Sequence, residues 1–586
     1  MSIQAINQYH NAIHKIYQYS GQNHEQAIKN EFQKLINHYC EKRHLLIVSE
    51  INIKNKQGIL IRPDGIVKNN LRLDCGYWES KANVDLDKEI NNKINSGYPL
   101  TNTLFQDEKN AILYQNDQIY LKTSLNDERE LDKLLTQFVS YESKEIKEFT
   151  AAIEQFKQDL PHILTALRDM IALQEKTNKA FCTARYDFLI ICQHSINPEI
   201  TLSDVNEMLL QHILTEEIFT SIFSDSQFHR ENNIAKELYK VESTFFNGTT
   251  KRNILGVISH YYTVIKLRAA AIADHHDKQV FLKVIYENFY KAYNPKAADR
   301  LGIVYTPHEI VQFQIESVDF LLEKHFNKSL ADEGIKILDP CTGTGTYLCD
   351  LIDYLPAHRL AYKYKHDMFA NELGLLSYYI ANLNIEYTYQ QKMGQYEEFN
   401  HICWVDTLDN ASADFKGSTG DLFGLSVENT ERIREQNSHK ISVVIGNPPY
   451  NSNQQNENDN NKNREYYKDY KKKTGGIDGR IKDTYIDKST AQKTKLYDMY
   501  ARFLRWASDR LQDKGIISFI INRSFIDSRT FDGFRKCLAE EFDFVYIVDT
   551  QSDVRKNPKI SGTKHNVFGI QTGVAVLFLV KKSGEK

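Results

Sequence analysis

The sequence predicts a multidomain α/β chain: an α+β unit over 1–125, a helical connector over 126–297, and a doubly wound, largely parallel sheet over 298–586. At 586 residues the chain exceeds what one hydrophobic core supports. Its composition, 41% hydrophobic and 26% charged with 11 Pro and 26 Gly, is that of a globular protein and excludes global disorder. Strand-like runs occupy the first stretch, nearly vanish from the second, and return in the third alternating with helical stretches, the pattern of a parallel sheet covered on both faces.

Residues 1–125 read as helix, then strands with turns, then helix. "GILIRPDGIVKNNLRLDCGYWESKA" (58–82) holds two short strand-like runs split by Lys-Asn-Asn. In the connector, "LDKLLTQFVSYESKEIKEFTAAIEQF" and "KQVFLKVIYENFYKAY" space their apolar residues three and four apart, which predicts amphipathic helices. From about 298, "IKILDP", "HICWVDTL", "ISVVIGNPPY", "GIISFIINRSF", "FVYIVDT" and "GVAVLFLVKK" are the predicted strands. Residues 451–490 break that rhythm: polar, Asn- and Lys-rich, and without an apolar period. Arg464, Lys468, Lys471, Lys472, Lys473, Arg480 and Lys482 are interleaved there with Tyr466, Tyr467, Tyr470 and Tyr485, a mixture suited to phosphate contact and base stacking.

No apolar run is long enough to span a bilayer, and the first residues lack the apolar core of a signal peptide, so a cytoplasmic chain with no membrane partner is expected. The eight cysteines are scattered without C-x-x-C pairs or zinc-finger spacing, as expected of buried thiols in a reducing compartment. A net charge of −4 is no footprint of a nucleic-acid binder taken whole, but local charge is what decides.

Four predicted strand ends carry chemistry. Asp339-Pro340 ends the first and leads through Thr342, Gly343 and Gly345 into a helix, where glycines let backbone approach a ligand closely. Asn371-Glu372 closes the next, where a carboxylate can accept from ribose hydroxyls. Asp406 ends the third. Asn447-Pro448-Pro449-Tyr450 ends the fourth, held extended and rigid by its prolines.

In that order the four ends resemble the γ class of S-adenosylmethionine-dependent amino-methyltransferases, with Asn-Pro-Pro-Tyr as the catalytic tetrapeptide and Asp-Pro-Cys-x-Gly-x-Gly as the methionine-binding loop. The resemblance spans roughly 290–586 and implies a Rossmann-like domain. It implicates Tyr305, Thr306 and Pro307 of "RLGIVYTPHEIV" in cofactor binding and Phe568 of "NVFGIQTGVAVLF" in the base pocket. The chemistry fits. The exocyclic nitrogen of adenine is a poor nucleophile, and the Asn447 side-chain oxygen with the Pro448 carbonyl can accept its two hydrogens and aim its lone pair at a methyl-sulfonium. Tyr450 offers a stacking face to an extruded base, with Phe568 as a second contact. Ring-carbon methylation of cytosine needs a nucleophilic thiol, and the one Pro-Cys pair, Pro340-Cys341, lies in the cofactor loop.

In the first unit, Asp64 follows Pro63, and Glu79 and Lys81 project to one face of a strand-like run. Two carboxylates could hold Mg2+ while the lysine orients water, with Asp74 a rival for the first carboxylate. This resembles the PD-(D/E)xK nuclease core, in which a first-helix glutamate, here Glu31, completes the metal shell. The order nuclease, helical connector, γ-class methyltransferase resembles type IIG and type ISP restriction-modification enzymes. No G-x-x-x-x-G-K-[ST] loop occurs, so ATP-driven translocation is not expected and type IIG is the nearer kin. The resemblance lacks a target-recognition domain, leaving two readings open: a separate specificity subunit, or a truncated product.

The resulting expectation is a double-stranded-DNA-binding polypeptide with two cofactors, S-adenosylmethionine for adenine-N6 methylation and Mg2+ for cleavage of unmodified DNA. Its rivals are a modification-only methyltransferase whose first domain merely grips DNA, and a non-catalytic scaffold binding DNA or a defence partner.

Overall fold

The structure, a computed structural model, describes residues 2–20, 25–43, 45–49, 53–54, 60–69, 73–81, 86–195, 200–222, 232–246, 248–272, 281–282, 284–286, 289, 293, 306–408, 410, 427–449, 476–490, 494–511, 513–553 and 572–582. It divides into two compact units, Met1–Gln158 with Ile258–Ile285, and Asp159–Val257 with Tyr286–Lys586. The predicted connector is thereby shared between them.

The first unit is built on a mixed sheet. Its strands are β1 (Leu46–Ser49), β4 (Gly65–Lys68), β5 (Asp74–Ser80), β6 (Asn102–Gln106), β7 (Asn110–Gln115) and β8 (Gln118–Ser124), hydrogen-bonded in that order, while β2 (Ile53–Lys54) and β3 (Leu60–Ile61) pair separately. Only β5 and β6 run parallel. Helices Ser2–Ser20 and Glu25–Glu41 bury Ile6, Tyr9, Ile28, Phe32 and Leu35, spaced three or four apart, and Phe32 stacks on buried Trp78 with ring centroids 5.9 Å apart. After helix Leu86–Asn95 the chain does not end in further helix, as the sequence reading had it, but forms β6 to β8. Consecutive positive φ angles at Asn116 and Asp117 (51° and 63°) make the two-residue turn that joins β7 to β8.

The second unit carries a seven-stranded sheet: β9 (Ile337–Asp339), β10 (Met368–Glu372), β11 (Ile402–Trp404), β12 (Val443–Gly446), β13 (Gly515–Asn522), β14 (Phe544–Asp549) and β15 (Val574–Lys581), in the order β11-β10-β9-β12-β13-β15-β14. All are parallel except β15, which runs antiparallel to both neighbours. From β9 the chain steps outward to β10 and β11, then crosses to β12 on the other side, so the order reverses around β9. Ligands bind at such reversals, beyond the carboxyl ends of the strands.

Helix Leu375–Met393 is buried nearly all round because connector residues pack on the side away from the sheet. Tyr378 Oη donates to Asn233 Oδ1 at 2.7 Å, Tyr379 meets His212 Nδ1 at 3.4 Å, and Phe188 stacks on Trp404 at 6.0 Å.

Of the polar 451–490 stretch, residues 451–475 lie outside the described residues, and with them Arg464, Lys468, Lys471, Lys472, Lys473, Tyr466, Tyr467 and Tyr470. The remainder corrects the expectation of no apolar period. Ile477, Ile481 and Tyr485, four apart, are buried on one helical face in the core. Tyr485 is therefore no stacking platform, and Arg480 spends its guanidinium on Asp509, at 2.8 and 2.9 Å. No helix among the described residues is long and apolar enough to cross a membrane.

Candidate active site

In the second unit the four strand ends come together at the carboxyl edge of the sheet. Asp339 is fully buried at the end of β9: its Oδ1 accepts from Cys341 N at 3.1 Å, and its Oδ2 has no partner. Burial pushes its carboxyl up to about 8, with nearby Glu372 adding to the rise. The loop that follows needs its glycines. Gly343 and Gly345 have φ angles of 57° and 92°, and a Cβ on Gly345 would stand 3.2 Å from the Ala381 backbone. At Gly343 a built Cβ would meet nothing within 4 Å, so the turn faces open space. Thr342 Oγ1 donates to Asp339 O at 3.2 Å, its N–H to Asn371 O at 3.0 Å, and the Pro340 carbonyl accepts from Thr407 Oγ1 at 2.6 Å.

Glu372, at the end of β10, ties the loop down: Oε2 accepts from Gly343 N at 2.8 Å and Oε1 from Gly374 N at 2.7 Å. Burial raises its carboxyl to about 7. Asn371 is buried with both side-chain polar atoms unpartnered. Asp406, just past β11, accepts from Leu408 N at 3.0 Å.

At the end of β12, Asn447 Nδ2 donates to Thr306 Oγ1 at 2.9 Å, its backbone N–H meets the Cys341 thiol, and its Oδ1 is buried without a partner. Thr306 and Pro307 enter helix His308–Phe326, so the predicted leading motif meets the tetrapeptide. Pro448 is buried and Pro449 half-buried. Gly446 is obligatory, because a Cβ there would stand 2.9 Å from Asp339 Oδ1. Tyr305, Tyr450 and Phe568 lie outside the described residues.

Sequence reading had missed Thr407, Gly446 and Asn384, whose Nδ2 holds the Thr344 carbonyl at 2.8 Å. Thr407 directly follows Asp406 and could have been found; Asn384 lies in mid-helix and gave no signal.

In the first unit, Asp64 just before β4 and Glu79 on β5 are brought together by the pairing of Gly65 with Trp78. Asp64 Oδ1 pairs with Lys29 Nζ at 2.7 Å, and its Oδ2 accepts from Ser80 N at 2.7 Å. Glu79, 2% exposed, pairs through Oε2 with Lys93 Nζ at 3.1 Å while Oε1 has no partner. Burial, then Asp64, pushes its carboxyl above the usual range. Lys93 Nζ also donates to Tyr98 Oη at 2.9 Å. Lys81 is half-buried just past the strand.

Two expectations fail here. Asp74 starts β5, about 17 Å from Glu79 at strand rise, and pairs with Lys68 at 2.8 Å. Glu31 is two residues from Lys29 on one helix, hence about 200° around it and on the opposite face, where it pairs with Lys34 at 2.6 Å. Accordingly, no three His, Cys, Asp or Glu side chains form a metal-holding group among the described residues.

Residues 124–277 match the family model of the type ISP restriction-modification enzyme coupler domain, and residues 277–480 that of N-6 DNA methylases. Among solved structures, the chain is 47% identical to that of a DrdV–DNA complex, with a TM-score of 0.68, covering 99% of this chain and 56% of that one. It is 32% identical to the ATP-dependent type ISP enzyme LlaBIII bound to DNA, with a TM-score of 0.64, over 78% of this chain and 30% of that one. A nuclease-deletion mutant of the type ISP enzyme LlaGI, in complex with a DNA substrate mimic, is 26% identical with a TM-score of 0.64, over 86% and 45%. The chain thus spans about half or less of the length of these proteins. No curated protein matches it. The two family matches run from residue 124 to residue 480 without a gap, so the chain carries a type ISP restriction-modification coupler domain joined directly to an N-6 DNA methylase domain.

Proposed function

We propose that the chain methylates adenine N6 in double-stranded DNA with S-adenosylmethionine, and that its first unit cuts unmodified DNA with Mg2+. In this reading residues 1–125, 126–297 and 298–586 act as nuclease, connector and methyltransferase. The carrying observation is Asn447, anchored through Nδ2 on Thr306 while its Oδ1 stays buried and unpartnered at the switch point of the sheet.

The residues fit the cofactor. Four orphaned polar atoms (Asp339 Oδ2, both of Asn371, Asn447 Oδ1) surround a glycine turn that faces open space. S-adenosylmethionine would supply an electrophilic methyl group. Asp339, Pro340, Thr342, Gly343 and Gly345 would shape the pocket for its amino-acid end, Glu372 would accept from the ribose hydroxyls, and Asp406 would hold the adenine. Tyr305, Thr306 and Pro307 would close over it. Asn447 Oδ1 and the Pro448 carbonyl then accept the two N6 hydrogens of an extruded adenine, and Pro449 keeps the corner from twisting. Tyr450 and Phe568 would stack on the base.

In the first unit Asp64, just before β4, and Glu79, on the paired β5 and with one unpartnered oxygen, fit a single divalent cation. It would activate the attacking water, and Lys81 would orient that water. A second reading, modification alone, is favoured by the absence of a three-ligand group among the described residues and by the lysines already paired with both carboxylates.

The test is methyl transfer from labelled S-adenosylmethionine to DNA, RNA and protein acceptors. DNA labelled at adenine N6, with loss of about 100-fold or more in Asn447→Ala, is the expected result. Label on RNA or protein alone, or full activity in the variant, overturns the reading.

A further inference from the structure

One buried hydrogen-bonded chain joins the connector to helix Leu375–Met393, which lines the proposed cofactor pocket. It starts at Glu386, whose Oε1 accepts from Phe399 N at 2.9 Å and from Asn382 Nδ2 at 2.9 Å. An oxygen that takes two N–H donors fixes the Asn382 amide: its nitrogen faces Glu386, so its Oδ1 faces the connector. There it accepts from Asn232 Nδ2 at 2.8 Å. Asn232 in turn must present its own Oδ1 to the first turn of helix Asn233–Ser243, where it accepts from Ile234 N at 3.1 Å and Ala235 N at 3.0 Å. Asn232, Asn382 and Glu386 are all buried, so no water can take over a broken link cheaply.

Asn382 stands on helix Leu375–Met393, which also grips the pocket. Asn384 holds the Thr344 carbonyl, Ala381 packs against Gly345, and the Gly374 N–H ahead of its first turn sits on Glu372. A rigid helix fastened at one face to the glycine turn and at another to the connector transmits a displacement of either to the other.

We propose that Asn232 is a positioning residue for the cofactor pocket, acting through Asn382 and helix Leu375–Met393. Cofactor occupancy and the order of connector helix Asn233–Ser243 are thereby coupled in both directions, as linkage requires. The proposal rests on the S-adenosylmethionine reading given above.

Hydrogen exchange on the full chain, with and without S-adenosylmethionine, tests it. Amides of residues 234–243 are expected to gain protection on cofactor addition. Asn232→Asp separates the relay from the cap: aspartate caps a helix as well as asparagine does, but it sets a carboxylate oxygen against Asn382 Oδ1. That variant is expected to bind S-adenosylmethionine about five- to tenfold more weakly by calorimetry and to lose the cofactor-induced protection. A wild-type chain that binds no S-adenosylmethionine sinks the cofactor reading and the relay together. A wild-type chain that binds it with no change in exchange over 234–243, or a folded Asn232→Asp that binds as tightly, overturns the relay alone. Should the variant not fold, the wild-type exchange decides.

Discussion

Asp64 and Glu79 in the first unit each hold a lysine ammonium, at 2.7 and 3.1 Å. Asp339 and Glu372 in the second lean on backbone N–H groups, and among the described residues no lysine or arginine pairs with either. The first pair carries its own counter-charge, so an incoming metal ion must displace ammonium groups. The second is left under-compensated, so its carboxyls rise to about 8 and about 7 and stand ready for a ligand that brings positive charge.

The largest expected effect separates the two sites. Asn447→Ala should abolish methyl transfer and leave any Mg2+-dependent cutting intact, while Glu79→Gln should do the reverse, each by about 100-fold or more on its own activity. Parallel assays of both variants on unmethylated DNA check it, and loss of both activities in either variant would merge what the comparison keeps apart.

The next concerns the counter-ions. Replacing Lys29 and Lys93 together by methionine should tighten Mg2+ binding about tenfold by calorimetry, since two carboxylates then face each other uncompensated. Unchanged affinity would mean that the ammonium groups do not compete for those oxygens.

A third prediction sharpens the contrast at the cofactor pocket. If a cationic ligand ionises Asp339, binding S-adenosylmethionine near pH 7 should release about one proton, seen as a heat that varies with the ionisation enthalpy of the buffer. Asp339→Asn should bind more weakly and show a smaller dependence, because Glu372, raised to about 7, still gives up part of a proton.

The smallest effect is on stability. Asp339 titrates higher folded than unfolded, so the native state holds the extra proton between the ordinary carboxylate range and about 8. Its contribution is full below the unfolded value and is lost as pH rises through about 8. The melting temperature of the ligand-free chain should fall by a few degrees from pH 5 to pH 8, and less steeply in Asp339→Asn.

What the sequence disclosed follows the range of the interactions involved. Asp339, Glu372, Asp406 and Asn447 each end a short apolar run, and the alternation of strand and helix alone puts such ends at one edge of a sheet. Glu79 was legible from strand alternation, but the lysine that reaches it was not. Lys81 follows Glu79 by two residues in the same run, whereas Lys93 arrives from a helix placed by tertiary packing. Glu31 rests on the resemblance to a first-helix glutamate alone, and the 100° step from residue to residue sends it to the face away from Lys29. In the polar 451–490 stretch the period was present at Ile477, Ile481 and Tyr485, hidden by the charged residues between them.

Helix Leu375–Met393 sets where the molecule can be divided. Tyr378, Tyr379 and Asn382 are buried beneath partners drawn from the connector, including His212, Asn232 and Asn233. A stand-alone fragment begun at residue 298, where strand alternation starts, would bare an aromatic face and strand its amides without partners. An expressible second unit has to begin near residue 159, because the smallest autonomous piece that keeps this helix covered includes the segment that would otherwise be discarded as a linker.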